Sequence, residues 1–191
     1  MLYIGIAGYK RSGKDTVCKL LIEELSKLSI TAERRALADA LKEEIAKFLS
    51  EEFCSKYSYT QYMEWMSGPN KEQYRLLMQW WGTEGRRMLI ADDYWLQELE
   101  DHASYVKSAV LIVPDVRFKN EVNFIKKQKG LNVYVNRPGF VGENHPSEKD
   151  LDDFNGWDYY IYNDKAIEDL KDQVRELAML IHSRMVIEPR R

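Results

Sequence analysis

The run Gly8-Tyr9-Lys10-Arg11-Ser12-Gly13-Lys14 has the spacing G-x-x-x-x-G-K, with Asp15 and Thr16 next in the chain. Glycine lets a chain turn through left-handed backbone, so that successive N–H groups converge on an anion. A helix starting at Lys14 adds its N-terminal amides and partial positive charge to that cradle. Lys14 then reaches the β- and γ-phosphates of a nucleotide as a mobile point charge. Lys10 and Arg11 bring further positive charge to the same turn. Gly8, Lys10, Arg11, Ser12, Gly13, Lys14, Asp15 and Thr16 are therefore candidate ligands for the phosphates of ATP. Asp15 stands where a Ser or Thr hydroxyl normally meets Mg²⁺. Asp15 acting through water is one candidate metal contact, and Thr16, or Thr16 on the α-phosphate instead, is another. The competing reading is an ordinary glycine-rich turn with no ligand. Three converging cations weigh against it.

A second acidic position, Asp115, follows the apolar run 109–113. If that run is a strand, Asp115 lies at the carboxyl edge of a sheet, where open α/β folds bind ligands. An acid there holds Mg²⁺ directly or through water, or else it caps a turn. Arg117 can neutralise charge on a transferred phosphoryl group, or sit idle on the surface. Gly82-Thr83-Glu84 with Arg86 and Arg87 reads as an Arg-bearing turn that either clamps an acceptor phosphate or simply ends a helix.

These residues need elements to position them. Residues 2–7, 31–37, 109–113, 131–136 and 158–162 read as strands. From Lys14 the pattern turns helical, with Val17, Leu21, Leu25 and Leu28 on one stripe. Another helix points Leu41, Ile45, Phe48 and Leu49 inward. Residues 50–70, rich in aromatics without a clean period, read as an arm inserted between core elements. Helices follow at Tyr74–Trp81 spacing and over 92–106, and one over 121–129 stops at Gly130 as a C-terminal glycine. The last helix places Ile167, Leu170, Val174, Leu177 and Ile181 on one face. Strands alternating with helices predict a three-layer α/β/α fold with a parallel sheet of about five strands. One domain over 1–191, with a helical acceptor-binding arm at about 38–105, is the expected organisation.

The 191 residues suffice for one core, and 45% hydrophobic with 31% charged residues is ordinary for a globular chain. A formal charge of −3 argues against a duplex-binding surface, so no nucleic-acid partner is expected. Cys18 and Cys54 give neither a disulfide framework nor metal-ligand spacing, and Cys18 reads as a buried free thiol. Residues 1–7 are too short and lack the basic leader of a signal peptide. The longest apolar run is far below the ~20 residues of a membrane span. A cytoplasmic location follows as the expectation. There is no N-K-x-D guanine motif, because Asn70-Lys71 continues Glu72-Gln73, and this argues against a GTPase.

Several further motifs fall in one order along most of the chain. After the loop ending Asp15-Thr16 come Leu37-Ala38-Asp39-Ala40-Leu41-Lys42, then Leu77-Met78-Gln79 with Gly82-Thr83-Glu84, Arg87 and Trp95. Pro114-Asp115-Val116-Arg117-Phe118, Asn120-Glu121, Arg137-Pro138-Gly139, His145-Pro146-Ser147-Glu148 and Asn163-Asp164 complete the series. Together they resemble the bacteriophage-type deoxynucleoside monophosphate kinases. The resemblance implies ATP as cofactor and a small nucleotide as the partner; Mg²⁺ and a homodimer are further expectations. It implies that Asp39, Lys42, Gln79, Thr83, Arg87, Trp95 and Asp115 line the acceptor cleft, with His145 and Glu148 also on the substrate side. It implies catalytic roles for Lys14, Asp115 and Arg117, metal contacts at Asp15, Thr16 and Asp115, and Asn163 near the adenine. Asp39 as a helix cap, Trp95 as core and His145 as a structural residue stay open. Ala40 stands where that family often has proline. Phosphomevalonate and dephospho-coenzyme A are alternative acceptors, and a nucleic-acid-dependent ATPase is a third class.

Overall fold

The computed structural model describes residues 1–53, 56–140 and 145–187. Cys54, the Glu148 side chain, Arg190 and Arg191 lie outside the described residues. The elements run β1 (Leu2–Ala7), α1 (Lys14–Lys27), β2 (Ala32–Arg34), α2 (Leu37–Lys47), α3 (Tyr59–Ser67), α4 (Arg75–Trp80) and α5 (Tyr94–Tyr105). They continue with β3 (Val110–Val113), α6 (Lys119–Lys127), β4 (Leu131–Asn136), α7 (Pro146–Lys149), β5 (Tyr159–Tyr162) and α8 (Ile167–Ile187). Two compact units result: Met1–Ala36 with Tyr105–Arg191, and Leu37–Ser104.

The first unit is built on a five-stranded parallel sheet in the order β2-β3-β1-β4-β5. Strand alternation divides its side chains between two faces. Leu2, Ile4 and Ile6 of β1, with Val110, Ile112, Val133 and Ile161, pack against Val17, Leu21 and Leu25 of α1 and Val174, Leu177 and Ile181 of α8. On the other face, Tyr3 meets Phe124 of α6 edge-on at 5.7 Å between centroids. The Asn132 side chain donates to the Val122 carbonyl of the same helix at 3.1 Å. Helices thus cover both faces, the three-layer α/β/α arrangement expected from the alternation.

Some boundaries move. The expected strand over 31–37 pairs with β3 only from Ala32 to Arg34, because β3 is itself short. Arg35 still donates to the Ile112 carbonyl at 3.0 Å, and Leu37 already opens α2. Ile167, expected on the buried face of α8, is 46% exposed, since it forms the first residue of the helix and the core contact begins at Leu170. The left-handed residue after α6 is Lys129, at φ 52°, rather than Gly130. Gly130 is needed for a different reason. A Cβ there would overlap the Tyr3 carbonyl oxygen and crowd Ile125.

The second unit is helical; of the aromatic stretch between 50 and 70, Tyr62 is buried in its interior and Trp65 packs beside it, whereas Phe53, Tyr57 and Tyr59 are exposed. Ser58 and Gln61 close a reciprocal capping box that starts α3. Ile45, Ala46, Tyr62 and Met66 are its buried centre, with Leu41, Trp65, Tyr74, Leu77, Met78 and Trp81 packed around them. Phe48, expected to point inward, is 36% exposed at the start of a π-helical turn over Phe48–Glu52, although its ring stays 5.1 Å from Trp81. Gly82 to Arg87 are likewise not a turn. They lie in a π-helical segment, Trp81–Met88, continuous with α4, and Trp95 holds it by donating from its indole N–H to the Gly82 carbonyl at 2.9 Å.

Gly130→Ala should destabilise the protein by about 1–3 kcal/mol through overpacking against immovable backbone. Urea unfolding checks this, and a midpoint equal to that of the parent chain would contradict the close-packing account.

Candidate active site

The chain leaves β1 at Ala7 and enters α1 at Lys14 through a loop with three left-handed residues: Gly8 (φ 138°), Arg11 (φ 65°) and Gly13 (φ 104°). That alternation turns backbone amides toward one centre, the geometry of an anion nest at a helix N-terminus. No side chain fits at either glycine. A Cβ on Gly8 would overlap the Val135 carbonyl oxygen of β4, and one on Gly13 would overlap the Asn163 amide. Ser12 is buried at 1% exposure, and its hydroxyl oxygen lacks a hydrogen-bond partner.

The loop is braced by residues distant in sequence. Asn163 donates from Nδ2 to the Ser12 carbonyl at 2.8 Å, and Arg137 donates to the Arg11 carbonyl at 3.2 Å. Asn163 thus sits directly beneath the loop. Lys14 folds its ammonium back over the nest, donating to the Gly8 carbonyl at 2.5 Å and the Tyr9 carbonyl at 2.8 Å. A phosphate group accepts readily from an ammonium held there. Tyr9 donates from its hydroxyl to Asp152 at 2.8 Å, tying the loop to the segment after α7.

Asp115 and Arg117 lie in the turn after β3, the neighbour of β1. Val116 N–H donates to the Ile6 carbonyl at 3.2 Å, which pins this turn to the strand that carries the loop. The Glu121 carboxylate, buried at 4% exposure, accepts from the N–H groups of Arg117 at 2.7 Å and Phe118 at 3.1 Å. Arg117 joins Gly8, Tyr9, Tyr134, Ser147 and Asp152 around a shallow, open cleft. His145 accepts through Nδ1 from the Ser147 N–H at 3.2 Å and so caps α7, a structural use of the ring.

The buried Cys18 thiol reports on the electrostatics of this edge. Burial pushes its pKa up to about 11, Arg34 lowers it, and Asp15 and Asp115 raise it. Asp15, Asp115 and Arg34 therefore all lie within electrostatic range of the Cys18 thiol. Sequence reading assigned no role to Arg34, Glu121 or Tyr9. Glu121 had a local signal, an acid placed to cap the turn at Arg117, whereas Arg34 and Tyr9 acquire their roles only through the fold.

In the helical unit, Lys42 lies 3.6 Å from Asp39, an ordinary i,i+3 pair on α2. Gln79 is on α4, while Thr83 and Arg87 are buried in the π-helical segment at 5% and 6% exposure. Arg87 donates to Asp92 at 3.1 Å. Arg86 is bound to Glu44 and lies 5.1 Å over the Trp81 ring and 5.5 Å over Tyr94. That hydrogen bond to Glu44 raises the Arg86 pKa.

Comparison with known proteins follows this geometry. The phosphomevalonate kinase family model matches residues 6–131, more than half of the chain. The chain belongs to the phosphomevalonate kinase family. It is accordingly an ATP-dependent phosphotransferase of the P-loop kinases, and the resemblance read from its motifs has a counterpart among known relatives. A protein of Acanthamoeba polyphaga mimivirus, named as a candidate deoxynucleotide monophosphate kinase, is 27% identical over 200 residues. That alignment covers 91% of the kinase and 94% of the relative. Similar solved structures include an APS kinase of Mycobacterium tuberculosis, 12% identical, with TM-score 0.47 over 95% of this chain and 96% of the other. A shikimate kinase of Aquifex aeolicus is 16% identical, with TM-score 0.46 over 95% and 98%. No helix among the described residues is long and apolar enough to cross a membrane.

With a pKa near 11, about one Cys18 in a thousand is thiolate at pH 8, and thiolate is the reactive form. Iodoacetamide should therefore leave Cys18 of the folded kinase unmodified at pH 8 and label it in urea, as read by peptide mass mapping. Labelling of native Cys18 at the rate of an exposed thiol would contradict the burial.

Proposed function

We propose that the kinase moves the γ-phosphate of ATP onto the 5′-phosphate of a deoxynucleoside monophosphate, giving ADP and a deoxynucleoside diphosphate. The observation that carries this reading is the aromatic wall of the helical unit, where Tyr59, Tyr94 and Trp95 border an open cavity. Flat aromatic surface suits a nucleobase and has no counterpart in an aliphatic acid. The name of the mimivirus relative supports the same acceptor. The family description favours phosphomevalonate, which stands as the second reading.

In this reading ATP lies on Gly8 to Thr16, with Lys10 and Arg11 adding positive charge to the triphosphate. Asn163 supports the loop from below, and the adenine would lie on that side. The unit Leu37–Ser104 is the acceptor-binding arm, with Asp39, Lys42, Gln79, Thr83, Arg87 and Trp95 as its substrate residues. The buried Arg87 guanidinium suits bidentate contact with a phosphate. His145 and Glu148 are assigned to the substrate side, His145 by positioning α7.

Mg²⁺ fits the residues present. It takes one or two carboxylates together with substrate phosphates, and Asp15 and Asp115 are hard oxygen donors that bear on the same buried thiol. Asp15, Thr16 and Asp115 would hold the ion, which when bound neutralises charge on the phosphates. The acceptor needs no general base, since a phosphate monoester with a second pKa of about 6 is mostly dianionic at pH 7. The protein is left to align donor and acceptor and to neutralise developing charge, the task of Lys14, Arg117 and Arg87.

ADP release with ATP and a panel of deoxynucleoside monophosphates, phosphomevalonate and dephospho-coenzyme A tests the acceptor. Deoxynucleoside monophosphates should give the highest kcat/KM, and turnover confined to phosphomevalonate would overturn the reading. Lys14→Ala should lose transfer by about a thousand-fold or more while keeping the circular dichroism of the parent. Near-normal turnover in that variant would remove the loop from the mechanism.

A further inference from the structure

The helical unit contains an open cavity of about 270 Å³ bordered by Glu43, Glu44, Glu98, Tyr59, Tyr94 and Trp95. Its size lies just below the ~300–1,000 Å³ typical of small-molecule sites. Ala40, Glu43, Glu44 and Lys47 border it from one face of α2, at the i, i+3, i+4, i+7 spacing that aligns side chains along a helix. We propose that this cavity receives the base of the acceptor and selects bases that carry an exocyclic amine, guanine, adenine or cytosine, over thymine and uracil. The proposal rests on the deoxynucleoside monophosphate reading and adds to it the property by which the base is chosen.

The walls are preorganised. Trp95 is 5% exposed, with its indole N–H committed to Gly82, and it meets Tyr94 edge-on at 4.8 Å. Tyr94 in turn donates to Glu44 at 3.4 Å, and Arg86 pairs with the same carboxylate while stacking on Trp81 and Tyr94. Glu44 is thereby a fixed part of the wall. Glu43 and Glu98 are the carboxylates assigned to the edge of the base.

Hydrogen-bond chemistry gives the selection its sign. An ionised carboxylate only accepts, so a base must present donors to it. Guanine, adenine and cytosine carry an N–H₂ group, whereas thymine offers carbonyl oxygens on either side of its single ring N–H. With Glu44 paired to Arg86, Glu43 and Glu98 still outnumber the Lys47 ammonium at this cavity, so carbonyl oxygens would meet acceptors there. A carboxylate-bearing aliphatic acceptor is disfavoured by the same charges.

The test is kcat/KM for dGMP, dAMP, dCMP and dTMP in the full chain and in Glu43→Gln and Glu98→Gln, with calorimetric binding of dGMP and dTMP as a readout independent of turnover. At least one amine-bearing nucleotide should exceed dTMP by about ten-fold or more, the scale of a good bidentate base contact. A glutamine, which offers a donor as well as an acceptor, should shrink that ratio several-fold by weakening the amine-bearing nucleotide while sparing dTMP. Equal or better use of dTMP by the parent, or a ratio unchanged in both variants, would overturn the inference while leaving the acceptor class standing. Turnover of phosphomevalonate with no nucleotide accepted would instead overturn the reading beneath it.

Discussion

The structure of the donor side depends on one constraint: backbone amides between Gly8 and Lys14 must converge on a single point. Convergence requires left-handed backbone at Gly8, Arg11 and Gly13, which most residues adopt only with strain. The surrounding fold makes that conformation obligatory. The Val135 carbonyl of β4 occupies the place of a Gly8 side chain, and the Asn163 amide occupies that of Gly13 while bonding Ser12. The nest is therefore held by β4 and by the chain after β5, not by its own sequence alone.

The order of the sheet explains why the charged groups gather there. β1 lies at the centre, and the chain passes first to β2 and β3 on one side, then to β4 and β5 on the other. Ligands of open α/β sheets bind at such a reversal, beyond the carboxyl ends of the strands. Asp115 and Arg117 leave β3 at this edge, and the bond from Val116 to Ile6 fixes their turn to β1. The buried Glu121 then holds the backbone of Arg117. Cys18, beneath the same edge, responds to Asp15, Asp115 and Arg34 together.

What the sequence made legible was mostly local. The loop could be read because its spacing, the apolar run before it and the helical stripe after it lie within about thirty residues, the scale of one strand–turn–helix motif. β1 and β3 were legible because buried parallel strands are continuous apolar runs, whereas β2, Ala-Glu-Arg at the sheet edge, carries no such run. The π-helical segment Trp81–Met88 was not, since a widened helix has no 3.6-residue period to recognise, and its two glycines imitate a turn. Gly130 looked like a helix stop, yet Lys129 takes the left-handed conformation and the glycine serves the approach of Tyr3. The support that Asn163 gives to Ser12 spans 151 positions of sequence, so no local pattern announces it.

Polyphosphate binding at the β1–α1 loop can be measured by calorimetric titration of the full chain with ATP in the presence of Mg²⁺, repeated with AMP and with inorganic triphosphate as a competitor. ATP should bind, inorganic triphosphate should displace it, and AMP should bind far more weakly at this site. Binding of ATP and AMP with equal affinity, unaffected by triphosphate, would contradict polyphosphate binding at the loop.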